Sequence, residues 1–171
     1  PPEEFWRDAE KLRSEESGYL QMLDLESLVQ KASEANTAIR LKVRPGDYIF
    51  PNMIVAEGVP SLPEGVIKSF TLGNNRERGQ DLEYNVRQLE EVATRALSPG
   101  INDPNTAIDV IDRFGDALCS LQGRRWPDGV RCEGGSLRMV WPQVDFDSLT
   151  AAMFDNIRHY GSGSPDVMLH L

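Results

Sequence analysis

The chain has 171 residues, 40% of them hydrophobic, with a net charge of -9 and an isoelectric point near 4.7. That length and apolar content build one domain, or one domain with an appended subdomain, and exclude a disordered chain. The acidity excludes a general nucleic-acid surface, because phosphate binding needs basic density the chain lacks. No apolar run approaches the roughly 18 to 20 residues needed to cross a bilayer. The two cysteines, Cys119 and Cys132, fit a reducing compartment better than a disulfide scaffold.

Residues 1–16 are charged around Phe5, Trp6 and Leu12 and read as a linker or peripheral helix. A short strand begins at Gly18, and Leu25, Leu28, Val29 and Ala32 then recur at helical spacing up to about Asn36. In Ala38 to Arg44 the apolar Ile39, Leu41 and Val43 alternate with Arg40, Lys42 and Arg44, which predicts a half-buried strand with a cationic outer face. After the turn Pro45-Gly46-Asp47, short strands follow at Tyr48 to Phe50, Met53 to Ala56 and Val66 to Leu72. Their close spacing leaves no room for crossover helices, so residues 17–72 are expected to form a small β barrel or sandwich with one short helix.

Beyond Gly73 the period changes. Leu82, Val86, Leu89, Ala93, Ala96 and Leu97 mark one face of a helix, and Ala107, Val110, Ile111, Phe114, Leu118 and Leu121 mark a second. Between them Ser98-Pro99-Gly100-Ile101-Asn102-Asp103-Pro104 reads as a joint, with Asn102 or Asp103 as N-cap and proline at the first helical position. The pair should fold as a helical hairpin. Leu137, Met139 and Trp141 suggest a further strand, and a closing helix runs from an Asp145 N-cap through Phe146, Leu149, Met153, Ile157 and Tyr160 to a stop at Gly161. Residues 73–171 thus read as a helical subdomain with one strand, and the whole as an α+β fold.

Catalytic signatures are sparse. His159 and His170 lie far in sequence from either cysteine, so metal-ligand spacings are missing, and Asp109, Asp112 and Asp116 lie along one helix face as solvated charges. Neither a metal nor a cofactor is expected. The more suggestive set is Arg76, Arg87 and Arg95 with Ser98, Asn102 and Asp103. Guanidinium groups and a free helix N-terminus both favour anions, which makes these six a candidate site for a small anionic ligand. The competing reading has Arg87 and Arg95 pairing with Glu83, Glu91 or Asp103 to lock the hairpin.

Several of these strings carry a resemblance. Ser17-Gly18-Tyr19-Leu20-Gln21-Met22-Leu23-Asp24, Leu41-Lys42-Val43-Arg44-Pro45-Gly46-Asp47-Tyr48, Gln80-Asp81-Leu82-Glu83 and Arg95-Ala96-Leu97-Ser98-Pro99-Gly100-Ile101-Asn102-Asp103-Pro104 occur in this order. In that order they resemble the predicted bacterial membrane proteins grouped as "domain of unknown function 2254". Arg76, Gln80, Asp81, Arg87, Arg95, Ser98, Asn102 and Asp103 match the family's polar pattern, whereas Glu77-Arg78 stands where a threonine and a proline are expected.

The resemblance implies a polytopic protein of the bacterial inner membrane whose transmembrane helices precede this region, with this domain on the cytoplasmic side. It implies no activity and no catalytic residue. A second likeness, of Val43-Arg44-Pro45-Gly46-Asp47-Tyr48-Ile49 and Met53-Ile54-Val55-Ala56 to biotinyl and lipoyl carrier hammerheads, lacks the carrier lysine, since Val55-Ala56-Glu57-Gly58 has none. The expected role is therefore oligomerisation, with homo-oligomers formed, or ligand sensing. The alternatives are a hydrolase-like enzyme built on the arginines and a purely structural assembly module.

Overall fold

The computed structural model describes residues 1–171 as an α+β protein of two compact units. The first comprises residues 1–81 and 127–143, and the second residues 82–126 and 144–171.

The first unit holds the strands β1 (Glu10–Arg13), β2 (Gly18–Leu23), β3 (Ala38–Leu41), β4 (Tyr48–Ile49), β5 (Ile54–Val59) and β6 (Phe70–Gly73), with the helix α1 (Leu25–Glu34) between β2 and β3 in sequence. A hairpin, β7 (Val130–Glu133) and β8 (Ser136–Val140), completes the unit. Two open sheets result, of order β1-β5-β3-β8-β7 and β4-β2-β6. The arrangement is sandwich-like and no barrel closes. The pairings are antiparallel except β3 with β8, where Ile39 stands opposite Met139. The strand expected within the helical part is thus half of a hairpin that extends the first sheet.

Alternation in β3 explains the core. Ile39 and Leu41 point inward with Leu20, Leu28, Val55 and Met139, and α1 adds Val29 and Ala32. The helix starts where Asp24 accepts a hydrogen bond from the Ser27 N–H, a side-chain N-cap. The other face of the larger sheet is not open. Trp6, only 3% exposed, packs there with Ala9 and Ala38, against Val59, Leu137 and Val140.

This corrects the reading of residues 1–16 as a linker or peripheral helix. Glu3–Trp6 is a short 3-10 turn and β1 pairs with β5, so the segment is part of the sheet and its cover. Charge density outweighed Trp6 and Leu12, the apolar residues that pack the segment onto the unit. The cationic face of β3 is real, yet Arg40 is covered: its guanidinium lies 4.8 Å from the centroid of the Trp6 ring and donates to Glu57 at 2.5 Å and to Glu3 at 2.7 Å. Burial opposes that charge, but the hydrogen bonds to Glu3 and Glu57 outweigh it and raise the Arg40 pKa. Glu3 is held below its usual value, chiefly by the Arg40 hydrogen bond.

The second unit is helical: α2 (Leu82–Ala96), α3 (Pro104–Leu121), α4 (Phe146–Gly161) and α5 (Pro165–His170). Val86, Ala93, Ala107, Val110, Ile111, Phe114, Leu149, Met153, Ile157 and Val167 form its core. Asp145 caps α4 through a reciprocal pair of hydrogen bonds with Ser148. Four apolar positions read on the helices' inner faces are exposed instead, Leu82 and Leu89 on α2 and Phe146 and Tyr160 on α4, while Glu90 is buried. No helix is long and apolar enough to cross a membrane.

Candidate functional site

The joint between α2 and α3 is built almost entirely from its own backbone. The Ser98 and Leu97 N–H groups return to Arg95 and Ala93, Ile101 and Asn102 both donate to the Ser98 carbonyl, and Asp103 donates to Ala96 at 2.8 Å. The carbonyls of Ala93, Arg95 and Ala96 at the end of α2 are therefore satisfied within the chain. Asn102 makes this possible by taking a left-handed conformation, φ 51°, which asparagine tolerates better than other side chains.

Asp103 then opens α3. Its carboxylate accepts from the Thr106 N–H at 3.2 Å and from the Thr106 hydroxyl at 2.6 Å, and Pro104 occupies the first turn. The Thr106 hydroxyl and then the Thr106 N–H hold its pKa below the usual carboxylate value. The donors at this helix N-terminus that could have met an anion are met by Asp103.

Of the remaining residues of the six, Arg95, Ser98 and Arg76 each make local contacts of their own. Arg95 pairs with Glu91 one turn back on α2, and the Ser98 hydroxyl donates to the Arg95 carbonyl at 2.7 Å. Arg87 is exposed on the same helix. Arg76 belongs to the first unit, where its Nε and Nη2 donate to one oxygen of the buried Asp81 at 2.8 and 2.5 Å.

Sequence reasoning missed what Asp81 does. It lies against the turn Pro45-Gly46-Asp47: a Cβ on Gly46 would stand 2.2 Å from Asp81 Oδ2, and Gly46 has φ 96°. The turn is fixed on its other side, since Gly46 donates to the Leu20 carbonyl and Asp47 accepts from the Arg44 N–H at 2.9 Å. Next to Asp81 in sequence, Gln80 accepts from the Leu23 N–H at 3.0 Å. The glycine was a legible turn residue. Nothing in the local pattern tied it to an aspartate beyond three further strands.

A groove of about 460 Å³ runs between α1 and the β7–β8 hairpin, with Leu25, Val29 and Trp141 among its apolar walls. Glu133 at its edge accepts from the Ser33 hydroxyl at 2.5 Å. Both cysteines are free and exposed, and no group of three or more histidine, cysteine or acidic side chains is arranged to hold a metal ion. His170 meets Asp112 at 2.6 Å, which ties α5 to α3.

The clusters organise backbone: Asp103 a helix start, Asp81 a turn, Gln80 a strand.

Comparison with known proteins places this geometry in a lineage. An uncharacterized protein of Mycobacterium bovis and one of Mycobacterium tuberculosis are each 31% identical to the chain over 175 residues, covering 96% of it and 34% of the relative. The chain thus spans about a third of the length of the curated relatives it matches. No solved structure matches it. The family profile described as "Predicted membrane protein (DUF2254)" matches residues 1–171 from end to end. The chain belongs to that family, DUF2254, whose members are predicted membrane proteins.

Proposed function

We propose that this chain is the extramembrane assembly domain of a polytopic protein of the bacterial inner membrane, that it lies on the cytoplasmic side, and that it self-associates through α2. The observation that carries the assembly role is the exposed row Leu82, Leu89 and Val92, three large apolar side chains left in solvent beside the buried face of one helix. Leu82 and Leu89 are a heptad apart and Val92 follows at the next seam position, the spacing with which one helix meets another. Glu91 and Arg95 on the adjoining flank pair with each other. A second copy therefore meets a neutral surface there, although the chain as a whole carries -9.

Membrane attachment is supported by the family description and by the share of the relatives' length that lies outside this chain. The cytoplasmic side is supported by two exposed, unbridged cysteines. Tethering to a membrane raises the effective concentration of subunits, so a modest helix contact suffices.

Sedimentation of the chain over a concentration series tests the assembly role. A concentration-dependent oligomer that Leu89→Lys and Val92→Lys dissolve, with unchanged helix content, supports it; a monomer at every concentration overturns it. Fractionation of a full-length relative tests the membrane role, since recovery only in the soluble fraction overturns that part.

Ligand sensing is a second reading, and one observation favours it: Arg87 is exposed on α2. Stabilisation by inorganic phosphate that disappears in Arg87→Ala would support an anion site. The hydrolase-like alternative draws no support from the joint, where Ser98, Asp103 and Thr106 are each occupied in capping.

A further inference from the structure

The smaller sheet of the first unit presents a row of aromatic rings to solvent. Tyr19 of β2 and Tyr48 of β4 are cross-strand partners with rings edge to face at 5.0 Å, and Tyr48 meets Phe50 at 5.0 Å in the same manner. Ile49 between them is fully buried, so the period of the strand turns its neighbours outward. Tyr48 is 42% and Phe50 60% exposed.

Phe50 is held rather than loose. The Met53 N–H donates to its carbonyl, the Asn52 N–H donates to Ser14, and Arg13 Nη1 donates to the Asn52 carbonyl at 2.6 Å. A tyrosine and a phenylalanine side by side at two positions this exposed, on a hydrogen-bonded backbone, form a contiguous apolar patch.

Tyr48 and Phe50 together expose on the order of 250 Å², while a stable protein interface buries roughly 800 Å² per partner. The row ends at a two-residue edge strand and does not extend along an element as the α2 row does. A bilayer interface sets no such minimum area, because single rings enter it: phenylalanine reaches the acyl boundary while a tyrosine hydroxyl stays among the headgroups. The chain belongs to a family of predicted membrane proteins, so a bilayer is the surface closest to hand.

We propose that Tyr19, Tyr48 and Phe50 form a docking patch for the lipid bilayer interface, with Phe50 inserted and Tyr48 at headgroup level. The proposal rests on the extramembrane reading above. Charge at the turn is mixed, with Arg13 on the Asn52 carbonyl and Glu15 and Glu16 after Ser14, so the lipid preference follows from the -9 of the chain as a whole. Contact is therefore apolar in origin, favours zwitterionic over anionic lipid, and depends little on salt.

The 171-residue chain, tethered through an N-terminal histidine tag to phosphatidylcholine vesicles doped with nickel-chelating lipid, tests this. The indole fluorescence that Phe50→Trp adds to the wild-type signal is expected to shift to the blue and to be quenched by brominated lipid. Without the tether, Phe50→Ser is expected to lower partitioning into phosphatidylcholine vesicles about tenfold while the thermal midpoint holds. Replacing part of the lipid with phosphatidylglycerol should weaken binding further. Failure of brominated lipid to quench the added fluorescence of the tethered Phe50→Trp variant overturns the patch, as does Phe50→Ser abolishing self-association in solution, which would make it a contact between copies. A full-length relative that fractionates with membranes while quenching fails overturns the patch alone; one found only in the soluble fraction overturns the membrane reading instead.

Discussion

Arg40 donates from both Nε and Nη2 to a single oxygen of the buried Glu57, at 2.8 and 2.5 Å, beneath the ring of Trp6. The pair bridges neighbouring strands, since Arg40 and Glu57 stand opposite each other in the register of β3 with β5. Removing the cation alone leaves a carboxylate buried without its partner. Arg40→Met is expected to cost about 3 to 5 kcal/mol, and the double variant Arg40→Met with Glu57→Leu to recover most of that loss. Urea denaturation of the two variants checks it; a single variant losing less than about 1 kcal/mol would mean that water reaches Glu57.

Gly46 and Asp81 set a second expectation. Alanine at position 46 suffers twice, from a positive φ of 96° and from a Cβ placed 2.2 Å from Asp81 Oδ2. Gly46→Ala should therefore destabilise the first unit by about 2 to 4 kcal/mol. Adding Asp81→Ala removes the closest contact, although the Cβ still stands 2.8 Å from Arg76 Nη2, and it leaves the backbone strain and takes a carboxylate from Arg76. Only part of the loss should return, read as a partial recovery of the urea midpoint; full recovery would show that φ costs nothing there.

Local chemistry made part of this fold legible in the sequence. Asp103, one of two cap candidates, and Asp145 each cap the helix that follows, and the alternation around Ile39 depends only on neighbours. Distance in sequence hid the rest. Met139 pairs in parallel with Ile39, a partnership no local pattern encodes, and Trp6 folds back over the sheet from a segment that reads as solvated. Helical periodicity also overstated burial, because it records which side chains share a face and not whether another element covers it. Leu89 and Tyr160 sit on such uncovered margins. At the candidate site the pairing of Arg95 with Glu91 follows from helical spacing. The fit of Asp81 against Gly46 needed the folded chain.

Asp103 carries a pH dependence of known sign. Its folded pKa lies below the ordinary carboxylate value of about 4 because Thr106 donates twice to the ionised form. The folded state therefore holds the proton less well than the unfolded one. The contribution is fully present above the unfolded pKa and is lost as pH falls through the folded value. Asp103→Asn keeps an oxygen for the cap but removes the charge. Melting midpoints taken from neutral pH into strong acid should show wild type ahead by a few degrees at neutrality, with the gap closing as pH falls through the folded value. A gap that persists in acid would assign the effect to cap geometry alone.

Glu90 is the residue that fold stability alone does not ask for. It is 7% exposed on the side of α2 that also carries Val86 and Ala93, both in the apolar core of the second unit. A carboxylate there loses hydration, and on an otherwise apolar face a leucine of similar length would pack at lower cost. Glu90→Leu is thus expected to raise stability by about 1 kcal/mol, seen as a higher urea midpoint with an unchanged slope. The same variant should be followed by sedimentation, because the uncovered row Leu82, Leu89 and Val92 lies on the same helix. Higher stability with unchanged association would make Glu90 a cost of the fold. Lower stability would mean that its carboxylate holds an interaction in the second unit worth more than leucine packing, and would move attention from the exposed row to the helix interior.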